Sequence, residues 1–128
     1  MQCYSLHVLR QIKQLYKNIK EIIASSGEKI IFTAVGSNWG MACNALHVID
    51  LFSFIGNSPI NKIDLDWIDP VIHESKRANN IEFTGSVKGT FTNGSNFVIS
   101  SLDGQIGDIS ICVFTNSRRW IIQEGSAQ

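Results

Sequence analysis

GSNWGMACNALHVIDLF, residues 36–52, is the stretch that decides the fold of this chain. It runs from a predicted strand through a glycine-flanked turn into a helix that is apolar on almost every side. At 100° per residue only a narrow sector of this helix is polar, and it carries Cys43, His47 and Asp50, with Phe54 beside them. We expect a helix with such a surface to be buried. His47 then faces either a packed neighbour or a pocket.

The composition bounds the class of protein. A chain of 128 residues is about one domain with a real hydrophobic core. Hydrophobic residues make up 44% and charged residues only 17%, against a usual charged share of about 25%, so part of the apolar surface is expected to meet another domain or subunit. The formal net charge is zero, which argues against a nucleic-acid partner.

The cysteines and the hydropathy pattern predict a cytoplasmic protein. Cys3, Cys43 and Cys112 are odd in number and widely spaced, which favours reduced thiols over a disulfide framework. No apolar run is long enough to span a bilayer, and the N-terminus lacks a signal-peptide pattern. We therefore expect no membrane partner.

Periodicity along the chain predicts two helices followed by strands. The first 26 residues lack Gly and Pro, and their apolar residues recur at helical spacing, so a helix is expected at about residues 5–25. Residues 29–35 read as a buried strand, and the second helix ends near Gly56. From Ile60 onward the apolar period is two, and later strands are expected at about 81–92, 95–102, 107–115 and 119–124.

Turn residues between the later strands predict an antiparallel meander. The links are Asn93-Gly94, Asp103-Gly104 and residues 115–117, and Asn-Gly is a strong hairpin signal. With two helices in front, the predicted fold is α+β, with the helices packed on one face of a largely antiparallel sheet.

The predicted sheet has more apolar side chains than two helices can cover. The strand at 107–115 is apolar on both faces, since Cys112 and Phe114 alternate with Ile111 and Val113. An antiparallel sheet with two apolar faces needs a second cover. A homodimer packed sheet to sheet, or a further domain, would supply it.

Three interpretations are open for the polar sector of the second helix. Asp50 could fix the tautomer of His47 while the other ring nitrogen meets a substrate hydroxyl. His47 could instead be a core histidine bonded to Asp50. In the third, Cys43 and His47 form a nucleophilic pair, although the sequence supplies no clear oxyanion site. The cysteines and histidines lack the spacing of a zinc site.

The turn and one loop carry further candidates. Asn38 and Trp39 lie where side chains face a ligand, although Trp39 could equally pack as a lid over the sheet. The glycines at 36 and 40 lack the Gly-Lys-Ser/Thr of a phosphate loop. Lys76 and Arg77 are either solvated surface or contacts for an anionic or polyhydroxylated substrate.

Taken together, these elements resemble the C-terminal half of the glucose–fructose oxidoreductase and inositol dehydrogenase (Gfo/Idh/MocA) family. The sharpest part of the resemblance is residues 36–52, which are similar to a branch found with bacterial polysaccharide and sugar-nucleotide biosynthesis. Ser75-Lys76-Arg77 and Glu82-Phe83-Thr84-Gly85 also resemble that branch. The resemblance implies a C-terminal domain of the dihydrodipicolinate-reductase and glyceraldehyde-phosphate-dehydrogenase type over residues 1–128.

The resemblance also implies an activity. Family members bind NAD or NADP on an N-terminal Rossmann domain and oxidise or reduce sugar-like substrates, while the open sheet face forms the oligomer. Neither Gly-x-Gly-x-x-Gly nor the family's Glu-Lys-Pro lysine motif occurs here. We therefore expect the substrate-binding and dimerisation domain of an oxidoreductase, without the cofactor domain and inactive alone.

The resemblance also implies which residues form the site, by matching positions of the family's motif to this sequence. The family's histidine matches His47, whereas its frequent aspartate four residues earlier falls on Cys43. The expected substrate contacts are therefore the catalytic His47 together with Asn38, Trp39, Cys43, Asn44, Lys76 and Arg77. The main alternative is a stand-alone α+β association module without catalysis, and a small hydrolase using Cys43 and His47 is the third.

Overall fold

A computed structural model describes residues 6–69, 73–74, 81–104 and 109–124. The helices are α1 (Leu6–Ser26) and α2 (Met41–Gly56), close to their predicted bounds. The strands are β1 (Ile31–Ser37), β2 (Ile60–Asp64), β3 (His73–Glu74), β4 (Ile81–Glu82), β5 (Gly85–Phe91), β6 (Asn96–Leu102), β7 (Ile109–Phe114) and β8 (Arg119–Glu124). Neither described helix is long and apolar enough to cross a bilayer.

Six strands form one mixed sheet in the order β2-β5-β6-β1-β7-β8. Four of its neighbouring pairs are antiparallel, and β1 runs parallel to β6. Strands β3 and β4 pair only with each other among the described residues. The α+β class and the largely antiparallel sheet are confirmed.

The predicted meander is wrong at its centre. Strands β6 and β7 do not pair, because β1 lies between them and bonds to both. Asp103-Gly104 therefore follows β6 without forming the predicted hairpin turn. The other two links are hairpins as predicted, since Asn93-Gly94 joins β5 to β6 and residues 115–117 join β7 to β8.

Both helices pack on one face of the sheet. Tyr16, Ile19 and Ile23 of α1 are buried in the same core as the inward residues of α2. At the centre of this core Phe52 of α2 stacks on Phe32 of β1, with 4.6 Å between ring centroids. Phe91 and Phe97 complete a cluster of four rings. The core thus lies between α2 and the middle strands.

Helix α2 is only half buried, which corrects the expectation of burial on every side. Its inward residues are Met41, Asn44, Val48, Ile49, Phe52 and Ile55. On the opposite side Leu46 is 70% exposed and Phe54 is 40% exposed. Apolar residues at these positions broaden the hydrophobic pattern, but the sheet can cover only one side of a surface helix.

The other face of the sheet carries no helix in the described part of the chain. Strand alternation sends Ile99, Ile111 and Val113 to the helix side, where they are buried. Of the large apolar residues that we expected on the second face, Phe114 is partly exposed and Ile121 is 68% exposed. Ile31, Val35 and Leu102 are exposed as well. We call this surface the outer face.

Candidate functional site

The turn between β1 and α2 requires two residues in the left-handed region. Asn38 has φ 44°, and Gly40, which caps α2, has φ 80°. Asparagine and glycine are the residues that adopt this conformation most readily. The chain can therefore reverse within three residues and enter α2 directly above the end of β1.

Hydrogen bonds fix this turn to the end of β6. The Asn38 backbone N–H donates to the Leu102 carbonyl at 3.0 Å, and the Asn38 side-chain amide donates to the Gly104 carbonyl. The indole N–H of Trp39 donates to the Ser100 carbonyl at 2.9 Å. These contacts hold the first turn of α2 against the sheet.

Trp39 and Asn44 are buried beneath the turn, and a hydrogen bond joins them. Trp39 is 6% exposed and Asn44 is 3% exposed. The Asn44 Nδ2 donates to the Trp39 carbonyl at 3.2 Å, and its buried Oδ1 has no hydrogen-bond partner among the described residues. Trp39 therefore packs as the sequence alternative proposed, and the substrate contacts of both residues stay predictions.

His47 lies on the exposed side of α2, one turn after Cys43. Asp50 is exposed beside it, and the described residues show no hydrogen bond between the two side chains. This exposure excludes the alternative of a core histidine bonded to Asp50. The opposite side of the helix is locked in the core through Val48 and Phe52. An imidazole held at a defined place by a rigid helix can donate or accept a proton at a bound hydroxyl.

Cys43 is disulfide-bonded, which corrects the expectation of a reduced thiol at this position. Cys112 is free and partly buried on the outer face, and Cys3 lies outside the described residues. A disulfide sulfur has no proton to donate and is not a thiolate nucleophile. The nucleophilic pair of Cys43 and His47 is therefore absent from this structure.

We expect iodoacetamide to leave Cys43 unmodified when no reductant is present, because only a thiolate is alkylated. Mass spectrometry of the proteolytic peptide that contains Cys43 measures this directly. Treatment with dithiothreitol before alkylation is the control, and it should make the residue reactive. Rapid alkylation of the untreated chain at neutral pH would contradict the disulfide and restore the hydrolase alternative.

The predicted roles of Lys76 and Arg77 in a site with His47 stay predictions. Lys76 and Arg77 lie outside the described residues. His73 is paired with Glu82 in the β3–β4 ribbon. Among the described residues, no group of three His, Cys, Asp or Glu side chains could hold a metal ion.

A groove on the outer face was not foreseen. It has a volume of about 290 Å³ and is lined chiefly by β2, β5 and β6. Lys62, Asp64 and Lys88 are its charged residues, and the Lys88 ammonium lies 4.4 Å from the centre of the exposed Trp67 ring. These residues come from different strands, so only the strand register could have revealed the groove. None of the predicted site residues that the structure describes lines it.

The described residues do not fit a nicotinamide dinucleotide. Such a cofactor binds where a strand passes through a glycine-rich turn into the crossover helix of a parallel sheet. In the described ranges β1 and β6 form the one parallel pair, and Trp39 fills the turn that leads into α2. The described residues therefore do not form a site for this cofactor.

No protein-family model matches the chain, and no curated protein matches it either.

Proposed function

We propose that this chain is the substrate-binding and oligomerisation domain of an NAD(P)-dependent oxidoreductase that acts on a sugar or sugar nucleotide. Its finer fold would be that of the dihydrodipicolinate-reductase and glyceraldehyde-phosphate-dehydrogenase type of C-terminal domain. The observation that carries the proposal is the exposed imidazole of His47 on a helix whose other side is fixed in the core. The similarity of residues 36–52 to the family supports it.

In this proposal His47 meets the substrate hydroxyl. Its ring accepts the hydroxyl proton or orients that oxygen by a hydrogen bond. Asp50, exposed on the same side of α2, is close enough along the helix to bond the second ring nitrogen once a ligand is present. Asn38 and Trp39 contribute by keeping the start of α2 in place, and the cofactor would come from a domain outside the described residues.

The exposed side of α2 is suited to a second domain. Leu46 and Phe54 flank His47 and are 70% and 40% exposed. Apolar residues around a polar reacting group are typical of substrate pockets, which exclude water and leave few polar contacts. A domain packed over this side would enclose His47, whereas the sheet would remain free to form the oligomer.

Nuclear magnetic resonance of the ¹⁵N-labelled chain tests this proposal. We expect UDP-N-acetylglucosamine to shift the amide signals around His47 and NADH alone to shift none. The His47→Asn variant should bind the sugar nucleotide about two- to tenfold more weakly, which corresponds to one hydrogen bond of about 0.5–1.5 kcal/mol.

The control is Lys62→Gln, which changes the groove on the outer face and should leave the affinity unchanged. Tight NADH binding by these residues would contradict the proposal. So would sugar-nucleotide shifts that cluster at Lys62 and Lys88 and disappear in the control variant.

The second candidate is an association module without catalysis. The observation that favours it is the outer face, where Ile31 is 51% exposed and Ile121 is 68% exposed. A chain with this function shows no saturable shift with the sugar nucleotide, with glucose or with NADH. Its amide signals would still broaden at the outer face as the protein concentration rises.

A further inference from the structure

Strand β8 is a regular strand with one unpaired edge. It is the last strand in the sheet order, and its six residues pair in continuous register with β7. No described residue forms a ladder on its other side. An edge of this kind presents a row of backbone N–H and C=O groups that can pair with another chain.

The hairpin turn shows which residues face this edge. The Thr115 N–H donates to the Arg118 carbonyl at 2.8 Å, so the backbone groups of these two residues face each other as in a hydrogen-bonded pair. Hydrogen-bonded and non-hydrogen-bonded pairs alternate along an antiparallel ladder. The backbone groups of Trp120 and Ile122 therefore bond to β7. Those of residues 119, 121 and 123 point away from it.

The two edges of the sheet differ in how they are protected. At the other edge, the register of β2 shifts between Ile60 and Lys62, and the strand carries an outward lysine. A bulge and a lysine are devices that prevent edge-to-edge pairing. β8 reads Arg-Trp-Ile-Ile-Gln-Glu, with no shift in register and no Pro, Gly or Lys. Nothing in the described part of the chain pairs with this edge, which leaves it available to a partner strand.

We propose that the occupant of this edge is β8 of a second copy of the chain, paired antiparallel about a twofold axis at Ile121. The pairing would join two six-stranded sheets into one continuous sheet. Residues 119, 121 and 123, whose outward backbone groups pair with no described residue, become the hydrogen-bonded pairs. Ile121 then lies opposite the partner's Ile121, which covers a side chain that is 68% exposed in the single chain.

Charge complementarity selects this register. It places Arg119 opposite the partner's Gln123, so the guanidinium can donate to the amide oxygen. Arg118 lies opposite the partner's Glu124, a basic residue against an acidic one. A change of register that keeps side chains on their own faces shifts the partner strand by two residues. Such a shift sets Ile121 against the partner's Gln123 or the partner's Arg119. Both are poorer partners for an exposed isoleucine.

This dimer is independent of the proposed catalytic role and differs from packing through the outer face. Pairing at the edge leaves Ile31 and Val35 uncovered on β1, two strands inward from β8. Packing of two outer faces would instead bury these residues and leave the edge of β8 open. The two modes of association can therefore be separated by substitution.

Ile121→Pro tests the edge. Proline at this position removes only an N–H that points away from β7, a place where edge strands accept proline. We expect light scattering to give twice the 14.2 kDa of one chain for the wild type and a single-chain mass for the variant, with an unchanged circular dichroism spectrum. Val35→Lys is the matched control on the outer face and should remain dimeric. Ile121→Lys, which keeps the backbone N–H, should also weaken the dimer if proline disturbs folding.

Amide hydrogen exchange gives a second readout on the unaltered chain. The N–H groups of residues 119, 121 and 123 should exchange more slowly as the protein concentration rises, because pairing protects them. A wild-type chain that stays at single-chain mass at its highest soluble concentration would overturn the inference. A dimer that Val35→Lys dissociates and Ile121→Pro does not would also overturn it. The same holds if the exchange rates of the amides of residues 119, 121 and 123 do not change with protein concentration.

Discussion

Phe52→Ala should lower the free energy of unfolding by about 3–5 kcal/mol, the usual loss for a buried phenylalanine. The Phe52 side chain is fully buried in the middle of α2. Its ring stacks on Phe32 at 4.6 Å and lies 6.4 Å from Phe97, measured between ring centroids. Alanine would leave a cavity between the helix and the sheet that these neighbouring rings cannot fill without leaving their own contacts.

Urea denaturation followed by circular dichroism measures this loss. Phe54→Ala is the matched control, since it makes the same change two residues along the helix at a ring that is 40% exposed. There the loss should be about 1 kcal/mol, because the main contact is the Lys20 ammonium over the ring at 4.6 Å. Equal losses in the two variants would show that α2 does not pack on the sheet through Phe52.

Elements with local signals were predictable from the sequence. Helix α1 follows from apolar spacing in a stretch without Gly or Pro, and it ends beside Gly27, whose φ is 68°. The hairpin at Asn93-Gly94 follows from turn chemistry, because Gly94 has φ 91°. Each of these signals lies within the element itself, so reading it does not require knowing which distant parts of the chain pack there.

The position of β1 was not predictable in this way. Its sequence identifies a buried strand, but its neighbours β6 and β7 are far away along the chain. The register that places Phe32 beside Phe97 and Val113 depends on packing against Phe52. The strand order depends on how the strands pack around this shared core. Turn residues such as Asp103-Gly104 carry no information about it.

The candidate site was predictable in its place but not in its exposure. Residues 36–52 do form a strand, a turn and a helix, and His47 lies on the side opposite the core. The apolar sequence of α2 could not show that the side with Leu46 is exposed. An apolar residue predicts burial, and it does so whether or not another element or domain is present to cover it. Nor could it show that Trp39 bonds to Ser100, which is distant in sequence.

Gly85→Ala should destabilise the chain by about 3 kcal/mol or more, because two costs add at one residue. Gly85 has φ 103°, a conformation that side chains rarely adopt. A Cβ atom there would lie 2.5 Å from the Trp67 carbonyl oxygen and 2.7 Å from the Asp69 nitrogen. Both are backbone atoms, so the segment 67–69 would have to move off β5 as a unit.

That movement would break the bonds which dock the segment beside β5. The Ser86 N–H donates to the Trp67 carbonyl at 3.0 Å, and the Asp69 N–H donates to the Thr84 carbonyl at 2.9 Å. In the variant we expect both amides to exchange faster than in the wild type and the urea midpoint to fall. An unchanged midpoint with protected amides would mean that the segment does not cross β5 at Gly85.

Gly56→Ala is the control that makes the same chemical change with the opposite expected sign. Gly56 ends α2 with helical geometry, and a Cβ atom would meet Ile30 and Phe32 side chains at 3.6 Å, an ordinary contact distance. Alanine at a compatible glycine site stabilises by about 0.4–1 kcal/mol, since the unfolded chain loses freedom. The two alanine variants should thus move the urea midpoint in opposite directions. The difference arises because the space beside Gly85 is already occupied by backbone, whereas a methyl group fits between α2 and β1.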